Sequence, residues 1–340
     1  IKINGEMIPE KAVTGFVQRM QPIIENINPS FFEIAVAMAF DHFAKEQVDI
    51  AIIETGLGGR LDSTNIITPE LAIITNISYD HQNMLGDTLE KIAAEKAGII
   101  KPGVPVVIGE QNKETAQVFI DKAAAENTLL TFASEKRYVS DWKYEHHQLV
   151  AEITTSHDDS KEYYHLDLPG VYQTQNLVTV LEAIHQLQQK GWQIGDVYLQ
   201  KALRHVKKLT GLHGRWELVQ EHPAVILDVG HNEAGVQSIV KQLELTTYHQ
   251  LHIVIGMVSD KEVDKILRLL PPAAHYYFTR PRIPRALPED ELAEKGRLAG
   301  LNGHSYPNVN TALEATLAKA HKDDLVLVCG SVFLVGEVEL

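Results

Sequence analysis

Cysteine occurs once in 340 residues, at Cys329, which excludes an internal disulfide framework and a multi-cysteine zinc site and points to a reducing cytoplasm. Positive charge is also short. The 31 lysines and arginines stand against 45 aspartates and glutamates, a formal net charge of −14, so no sequence-independent grip on nucleic acid or on an anionic membrane is expected. Any phosphate handled by this chain must be held locally. No apolar run approaches the ~20 residues that cross a bilayer, and there is no internal repeat or low-complexity tract. The 44% apolar and 22% charged residues are those of a soluble globular protein, with a length that suits two domains of ~100 to 200 residues. An initiator methionine is missing as well. The chain opens Ile1-Lys2-Ile3-Asn4-Gly5-Glu6, and Ile1 to Ile3 reads as half of a β-hairpin whose other half lies upstream, so a fragment is expected.

Strand-like apolar runs alternate with amphipathic helical stretches, the pattern of an α/β protein with mainly parallel sheets. The first half supplies buried strands at Ile50 to Ile53, Leu71 to Ile77 and Val104 to Ile108, with helices at about 10 to 26, 30 to 46, 87 to 98 and 112 to 126. The stretch from 128 to 168 alternates over short runs and predicts an antiparallel meander. Helices resume at about 174 to 189 and 195 to 206. A second α/β unit begins near Trp216, with strands at Val225 to Leu227, Ile253 to Ile255, Tyr276 to Phe278 and Leu325 to Val328. Helices are expected between them at about 232 to 244, 260 to 270, 288 to 298 and 310 to 321. The Gly211 to Gly214 turn is the expected boundary, giving domains 1–214 and 215–340.

Ligands of open parallel sheets bind at the carboxyl ends of strands, and polar residues stand out at three such places. Ile50 to Ile53 runs into Glu54 and then Gly56-Leu57-Gly58-Gly59-Arg60. A carboxylate there is costly unless it is paired or binds a metal, and the glycines let backbone approach something closely. The next strand delivers Asp80-His81, where the imidazole is either a metal ligand or a hydrogen-bonded loop residue. The third is Asp228, followed by Gly230-His231-Asn232 opening a helix, an arrangement that suits a nucleotide, with the acid toward a ribose hydroxyl and the helix amino end toward phosphate.

Two helices carry further anomalies. Asp87-Thr88-Leu89-Glu90 reads as a capping-box-like start, and the apolar stripe Leu89, Ile92, Ala93 continues at Lys96, where a core residue belongs. Such a lysine either snorkels, pairs with Glu95 or Asp80, or has a lowered pKa and reacts as a neutral amine, for example with carbon dioxide to form a carbamate. Ser30-Phe31-Phe32-Glu33 is a second capping box, with aromatics that either anchor the helix or stack on a flat heterocycle.

In this order these residues resemble the folylpolyglutamate synthases and bifunctional dihydrofolate synthases of the Mur ligase superfamily. The resemblance spans nearly the whole chain. Its most specific parts are Glu54-Thr55-Gly56-Leu57-Gly58-Gly59-Arg60-Leu61-Asp62-Ser63-Thr64-Asn65, then Asp80-His81, Leu85 to Leu89 and Glu95-Lys96-Ala97-Gly98. Gln175-Asn176, Gly214-Arg215-Trp216, Asp228 to Asn232, and Gly256-Met257 with Asp260-Lys261 add to it.

The resemblance implies a Mur-ligase-type ATPase domain, mainly parallel with a small antiparallel meander, followed by a smaller Rossmann-like α/β domain. It implies ATP-dependent amide ligation: a carboxylate of dihydropteroate, or the terminal γ-carboxylate of a folate glutamyl chain, is phosphorylated, and the amino group of L-glutamate then displaces phosphate. By the same resemblance Glu54 and His81 are magnesium ligands, and Lys96 in N6-carboxylated form serves a second magnesium. Asn176, Arg215, Asp228 and His231 contact ATP, and Ser30, Phe31, Phe32, Glu33, Arg60 and Leu61 form the pterin side. A cytoplasmic monomer is implied, with small-molecule substrates and neither nucleic acid nor membrane as partner.

The family's phosphate-binding loop of Gly-x-x-Gly-Lys type has no counterpart, since no Gly-Lys dipeptide occurs here. Thr55 also stands where the family usually has valine. Alongside the folate ligase, two alternatives follow: a non-catalytic folate- or nucleotide-binding fragment, and a Mur-type ligase acting on a cell-wall precursor.

Overall fold

The structure, a computed structural model, describes residues 1–259 and 262–339; Asp260 and Lys261 of the motif above lie outside the described residues. It is an α/β protein. A short hairpin, β1 (Lys2–Ile3) and β2 (Glu6–Met7), opens the chain and pairs within itself, Lys2 opposite Met7. Where an upstream partner was expected for Ile1 to Ile3, Lys2 and Ile3 pair with the downstream Glu6 and Met7, because Asn4 and Gly5 both take positive φ and turn the chain back at once. Two helices follow, α1 (Glu10–Ile27) and α2 (Phe31–Glu46). The α2 start is the capping box read from the sequence: Ser30 Oγ accepts from the Glu33 amide and Glu33 Oε2 from the Ser30 amide.

The first sheet is parallel, in the order β3 (Ala72–Ile74), β4 (Val106–Ile108), β5 (Leu130–Phe132). Helices α3 (Gln82–Leu85), α4 (Leu89–Ala97) and α5 (Ala116–Ala125) lie between its strands in sequence, and Ala93, Ala97 and Phe119 pack with Ile74, Val106 and Ile108 in one core. Two expectations fail here. Ile50 to Ile53 forms no strand, and Ile52 is 92% exposed, since an apolar run becomes a strand only where a neighbouring backbone supplies a ladder. Helix α4 is capped by Thr88, whose side chain accepts from the Lys91 amide, while Asp87 pairs with Lys91; the box anticipated from Asp87 to Glu90 is one residue out of phase.

The meander begins later than 128, because β5 joins the parallel sheet. After the one-turn α6 (Ala133–Lys136), strands β6 (Arg137–Glu145), β7 (Gln148–Thr155) and β8 (Lys161–Leu166) pair antiparallel. Their inner residues Leu149, Ala151, Ile153 and Leu166 pack with Leu177, Val178 and Leu181 of α7 (Gln173–Gln189), and α8 (Asp196–Leu203) and α9 (Val206–Thr210) close this half.

The second sheet runs β13 (Asn302–Ser305), β12 (His275–Thr279), β11 (Leu251–Gly256), β14 (Leu325–Cys329), β10 (Ala224–Asp228), β9 (Glu217–Glu221), parallel except for the edge strand β9. Alternate residues fill two cores. Ile253, Ile255, Tyr276, Phe278, Leu325 and Leu327 face α10 (Glu233–Glu244), α11 (Val263–Leu267) and α12 (Glu289–Leu298). Val225, Val254, Tyr277, Val326 and Val328 face α13 (Val309–Leu317) and α14 (Val332–Val335). Both faces are covered, so the strands read as continuous apolar runs. No helix of the described residues is long and apolar enough to cross a membrane.

Candidate active site at the junction of two sheets

The carboxyl end of β10 delivers Asp228, 3% exposed. Its Oδ1 accepts from the Gly230 amide at 2.8 Å, and its Oδ2 accepts from the Trp216 amide at 2.9 Å and from the Tyr172 hydroxyl at 2.8 Å. Three of roughly four lone-pair positions are thereby used. Burial pushes the Asp228 carboxyl above its ordinary pKa, while Tyr172, the two amides and the nearby Arg215 guanidinium act to hold it down. Arg215 itself is half-buried and donates to the Gly214 carbonyl.

The loop beyond Asp228 reaches the first half of the chain. Asn232 caps α10 through Oδ1, which accepts from the Gly235 amide at 2.9 Å, and its Nδ2 donates to Asp80 Oδ2 at 3.1 Å. His231 Nε2 lies 3.6 Å from the same oxygen. Asp80 Oδ1 accepts from the His81 amide at 2.8 Å, and His81 Nε2 stands 3.8 Å away. Asp80 thus sits between two histidines, its own neighbour His81 and His231 from the second α/β unit. Gln82 adds a second bridge, donating to Glu262 at 2.8 Å. A cleft of ≈340 Å³ opens between these groups, lined by Tyr79, Asp80, His81, Asn232, Glu233 and Glu262 among others.

Lys96 is drawn to the same place. Burial pushes its pKa down and the Asp80 carboxylate opposes that shift; Glu95 pairs instead with Arg60 at 2.9 Å. The close approach anticipated for the glycine-rich loop is an approach to this turn. A Cβ on Gly59 would stand 2.8 Å from the Lys96 carbonyl oxygen, and one on Gly98 2.2 Å from the Arg60 Cα. The Arg60 amide donates to the Glu95 carbonyl at 2.8 Å. Asp62 fixes the loop from within: burial acts to raise its carboxyl, but hydrogen bonds from Thr64, Leu57 and Gly56 hold it below the usual range. The loop therefore buttresses the backbone from which Lys96 projects.

The other anticipated residues fall into two groups. Phe32 lies over the glycine loop, where a Cβ on Gly56 would meet its ring at 2.4 Å, and Phe31 projects into solvent at 86% exposure. Ser30 and Glu33 are occupied with each other, and Leu61 is exposed. Glu54 stands exposed in the segment 51–55, outside any helix or strand, and Asn176 is exposed and donates to Gln173 in its own helix; neither lines the cleft. Among the described residues no three histidine, cysteine, aspartate or glutamate side chains gather as a metal cage.

Sequence reasoning passed over Tyr172 and Gln242, and read Asn232 only as part of the helix opening after Asp228. Gln242, 1% exposed on α10, accepts from the Val171 amide at 2.7 Å and donates to the Tyr144 hydroxyl at 2.6 Å. It lies three residues beyond Ile239, at a core position of the helix, the same signal that singled out Lys96.

Comparison with known proteins adds to this geometry. The Mur ligase middle domain matches residues 6–184, and the Mur ligase, glutamate ligase domain matches 214–332. The chain is 32% identical over 351 residues to a dihydrofolate synthase/folylpolyglutamate synthase of Bacillus subtilis, covering 99% of this chain and 79% of that one. Among solved structures it is similar to Escherichia coli FolC in complex with DHPP and ADP, with a TM-score of 0.82, 29% identity, and 98% and 76% of the two chains covered. It is likewise similar to a Yersinia pestis bifunctional folylpolyglutamate synthase/dihydrofolate synthase complexed with AMPPNP and Mn, with a TM-score of 0.82, 28% identity, and 97% and 75% covered.

Proposed function

This chain belongs to the Mur ligases, among the folylpolyglutamate and dihydrofolate synthases, and from that premise we propose how its residues divide the work. The protein is an ATP-dependent ligase that joins L-glutamate in amide linkage to a folate-type carboxylate. The carboxylate is activated as an acyl phosphate, and the glutamate amino group displaces phosphate from it. We place the boundary between a central domain, 1–214, and a C-terminal domain, 215–340, at Gly214, where φ is +72° and a Cβ would stand 2.6 Å from Val229.

The observation that carries this reading is the meeting of Asp80 and His81 from the central domain with Asn232 from the C-terminal domain at one cleft, with His231 against Asp80, Lys96 sensing the Asp80 charge and Asp228 holding the turn at Gly230 that leads to Asn232. The donor chemistry suits magnesium, which is held by one or two protein groups while waters and phosphate oxygens complete its shell, so a three-residue cage is not required. Glu54 and His81 would hold the ion, which would neutralise charge on the transferring phosphoryl group. Lys96, its ammonium disfavoured by burial, would bond through its neutral amine to the carbon of carbon dioxide and release one proton, leaving a carbamate for a second ion. Arg215 and His231 flank the nucleotide, with Asn176 reaching it from α7. Asp228 has one lone-pair position left for a ribose hydroxyl and otherwise fixes the loop that presents the α10 amino end. Phe31 offers an open ring face to the pterin, beside Phe32, Arg60 and Leu61, while Ser30 and Glu33 fix the turn that carries the rings. The single buried Cys329 is in keeping with a cytoplasmic enzyme, and a monomer is the state assumed for it.

The test is ligation of L-glutamate by purified protein with ATP and magnesium, using dihydropteroate and a tetrahydrofolate in parallel. Glu54→Gln and His81→Ala should cut turnover by about 10²-fold or more, because the loss falls on charge stabilisation at the transferring phosphate, while the unfolding transition stays in place. Unaltered magnesium dependence in both variants would remove the metal assignment.

A further inference from the structure

We propose that Asn232 is a positioning residue for the ligation, its side chain holding the amino end of α10 with one atom and the Asp80-His81 turn of the central domain with the other. The inference rests on the reading above. Asn232 Oδ1 accepts from the Gly235 amide at 2.9 Å, the bond that starts α10, and Nδ2 donates to Asp80 Oδ2 at 3.1 Å across 152 residues of chain. One planar amide therefore fixes the distance between a helix amino terminus in one domain and a carboxylate in the other.

Both ends of this link are held by further hydrogen bonds. On the C-terminal side, Asp228 accepts from the Gly230 amide and so holds the turn that leads to Asn232. On the central side, Asp80 Oδ1 accepts from the His81 amide, and His81 is held in the left-handed region at φ 48°, a conformation that costs a non-glycine residue energy and needs such support. Asp80 is also the charged group beside Lys96. A shift of Asn232 is thus passed to the backbone of His81 and to the surroundings of Lys96.

His231 does not substitute for this bond. Its Nδ1 lies 3.0 Å from the Val229 carbonyl oxygen, and its Nε2 stands 3.6 Å from Asp80 Oδ2, beyond the distance of a hydrogen bond, whereas Asn232 Nδ2 reaches the same oxygen at 3.1 Å.

Asn232→Asp separates this role from helix capping, because aspartate caps a helix as well as asparagine does but sets a carboxylate against Asp80. Asn232→Ser keeps a cap and is too short to reach across. Two measurements apply. Spin labels on cysteines introduced at Val197 and Leu298, exposed positions in the two domains, report the interdomain distance by pulsed electron resonance; the native Cys329 is buried. The parent should give one narrow distance, and both Asn232 variants a longer and broader one with an unchanged melting temperature. In turnover, kcat should fall at least tenfold with KM for the pteridine substrate unaltered. The exchanged pair Asp80→Asn with Asn232→Asp, which restores a donor facing an acceptor, should recover the narrow distance and raise kcat above that of either single variant. A parent-like distance in Asn232→Asp, or no recovery in the exchanged pair, would overturn the inference. If the distances behave as stated but the parent ligates no glutamate, the link stands and the functional reading fails.

Discussion

The Tyr172 hydroxyl, at the start of α7, donates to Asp228 Oδ2 at 2.8 Å, at the end of β10. One hydrogen bond thereby ties the start of α7 to the buried carboxylate at the carboxyl end of β10, across 56 residues of chain.

Tyr172→Phe keeps the ring and removes this donor. Hydrogen bonds to charged groups contribute about 1.5 to 3 kcal/mol, so a loss of that order in urea unfolding is expected. KM for ATP should rise severalfold while KM for the pteridine substrate stays put. An unchanged urea midpoint would show that the bond is not made in solution.

Lys96 should not behave as a snorkelling side chain. Lys96→Met retains an apolar stem, yet kcat should fall by about 10²-fold or more if the lysine supplies an anion to the transferring phosphate. Added bicarbonate or a short carboxylate should restore part of the rate to Lys96→Ala. Full turnover by Lys96→Met would return this residue to a packing role.

Phe31 projects from the first turn of α2 and is 86% exposed. Phe31→Ala should leave stability within about 0.5 kcal/mol, as for other surface substitutions. It should raise KM for the pteridine substrate by about tenfold, near the ~1.4 kcal/mol that an aromatic pair adds beyond area burial. Equal KM values for parent and variant would take Phe31 out of the pterin side.

His252, buried beside Asp324 at 3.4 Å, gives a pH dependence. Burial pushes its pKa below the ordinary histidine value, Asp324 opposes this, and His275 and His321 add to the depression. The unfolded chain then binds this proton more readily than the folded one. The stability His252 contributes is therefore complete above pH ~6.5 and is lost as pH falls through the depressed folded value. His252→Gln keeps a donor toward Asp324 and cannot titrate, so its urea midpoint should fall less between pH 7 and pH 5 than that of the parent. Identical slopes would mean that the imidazole is not buried as neutral.

Much of this architecture is decided within short windows of sequence. Ser30 and Glu33 meet in a capping box because they are three residues apart on one helix start. The strands at Val225 to Leu227, Ile253 to Ile255, Tyr276 to Phe278 and Leu325 to Val328 read correctly because burial on both faces makes them continuously apolar, whereas the edge strand Asn302–Ser305 is polar and exposed and left no such signal. Lys96 was legible for the same reason: one position of an apolar stripe held a charge, and in the structure it is part-buried beside Asp80. Ile50 to Ile53 carried an equally strong local signal and is not a strand, because strand formation needs a backbone partner that no local pattern contains.

The joining of the two halves belongs to tertiary structure alone. Asn232 meets Asp80 across 152 residues, Gln242 meets Val171 across 71, and Tyr172 meets Asp228 across 56. The sequence determined which residues can carry charge, make hydrogen bonds or face a core, since charge, hydrogen-bonding capacity and periodicity are properties of each residue and its near neighbours. Packing of two separate sheets decided which of them meet, because a hydrogen bond near 3 Å depends on the placement of whole domains and leaves no periodic trace along the chain.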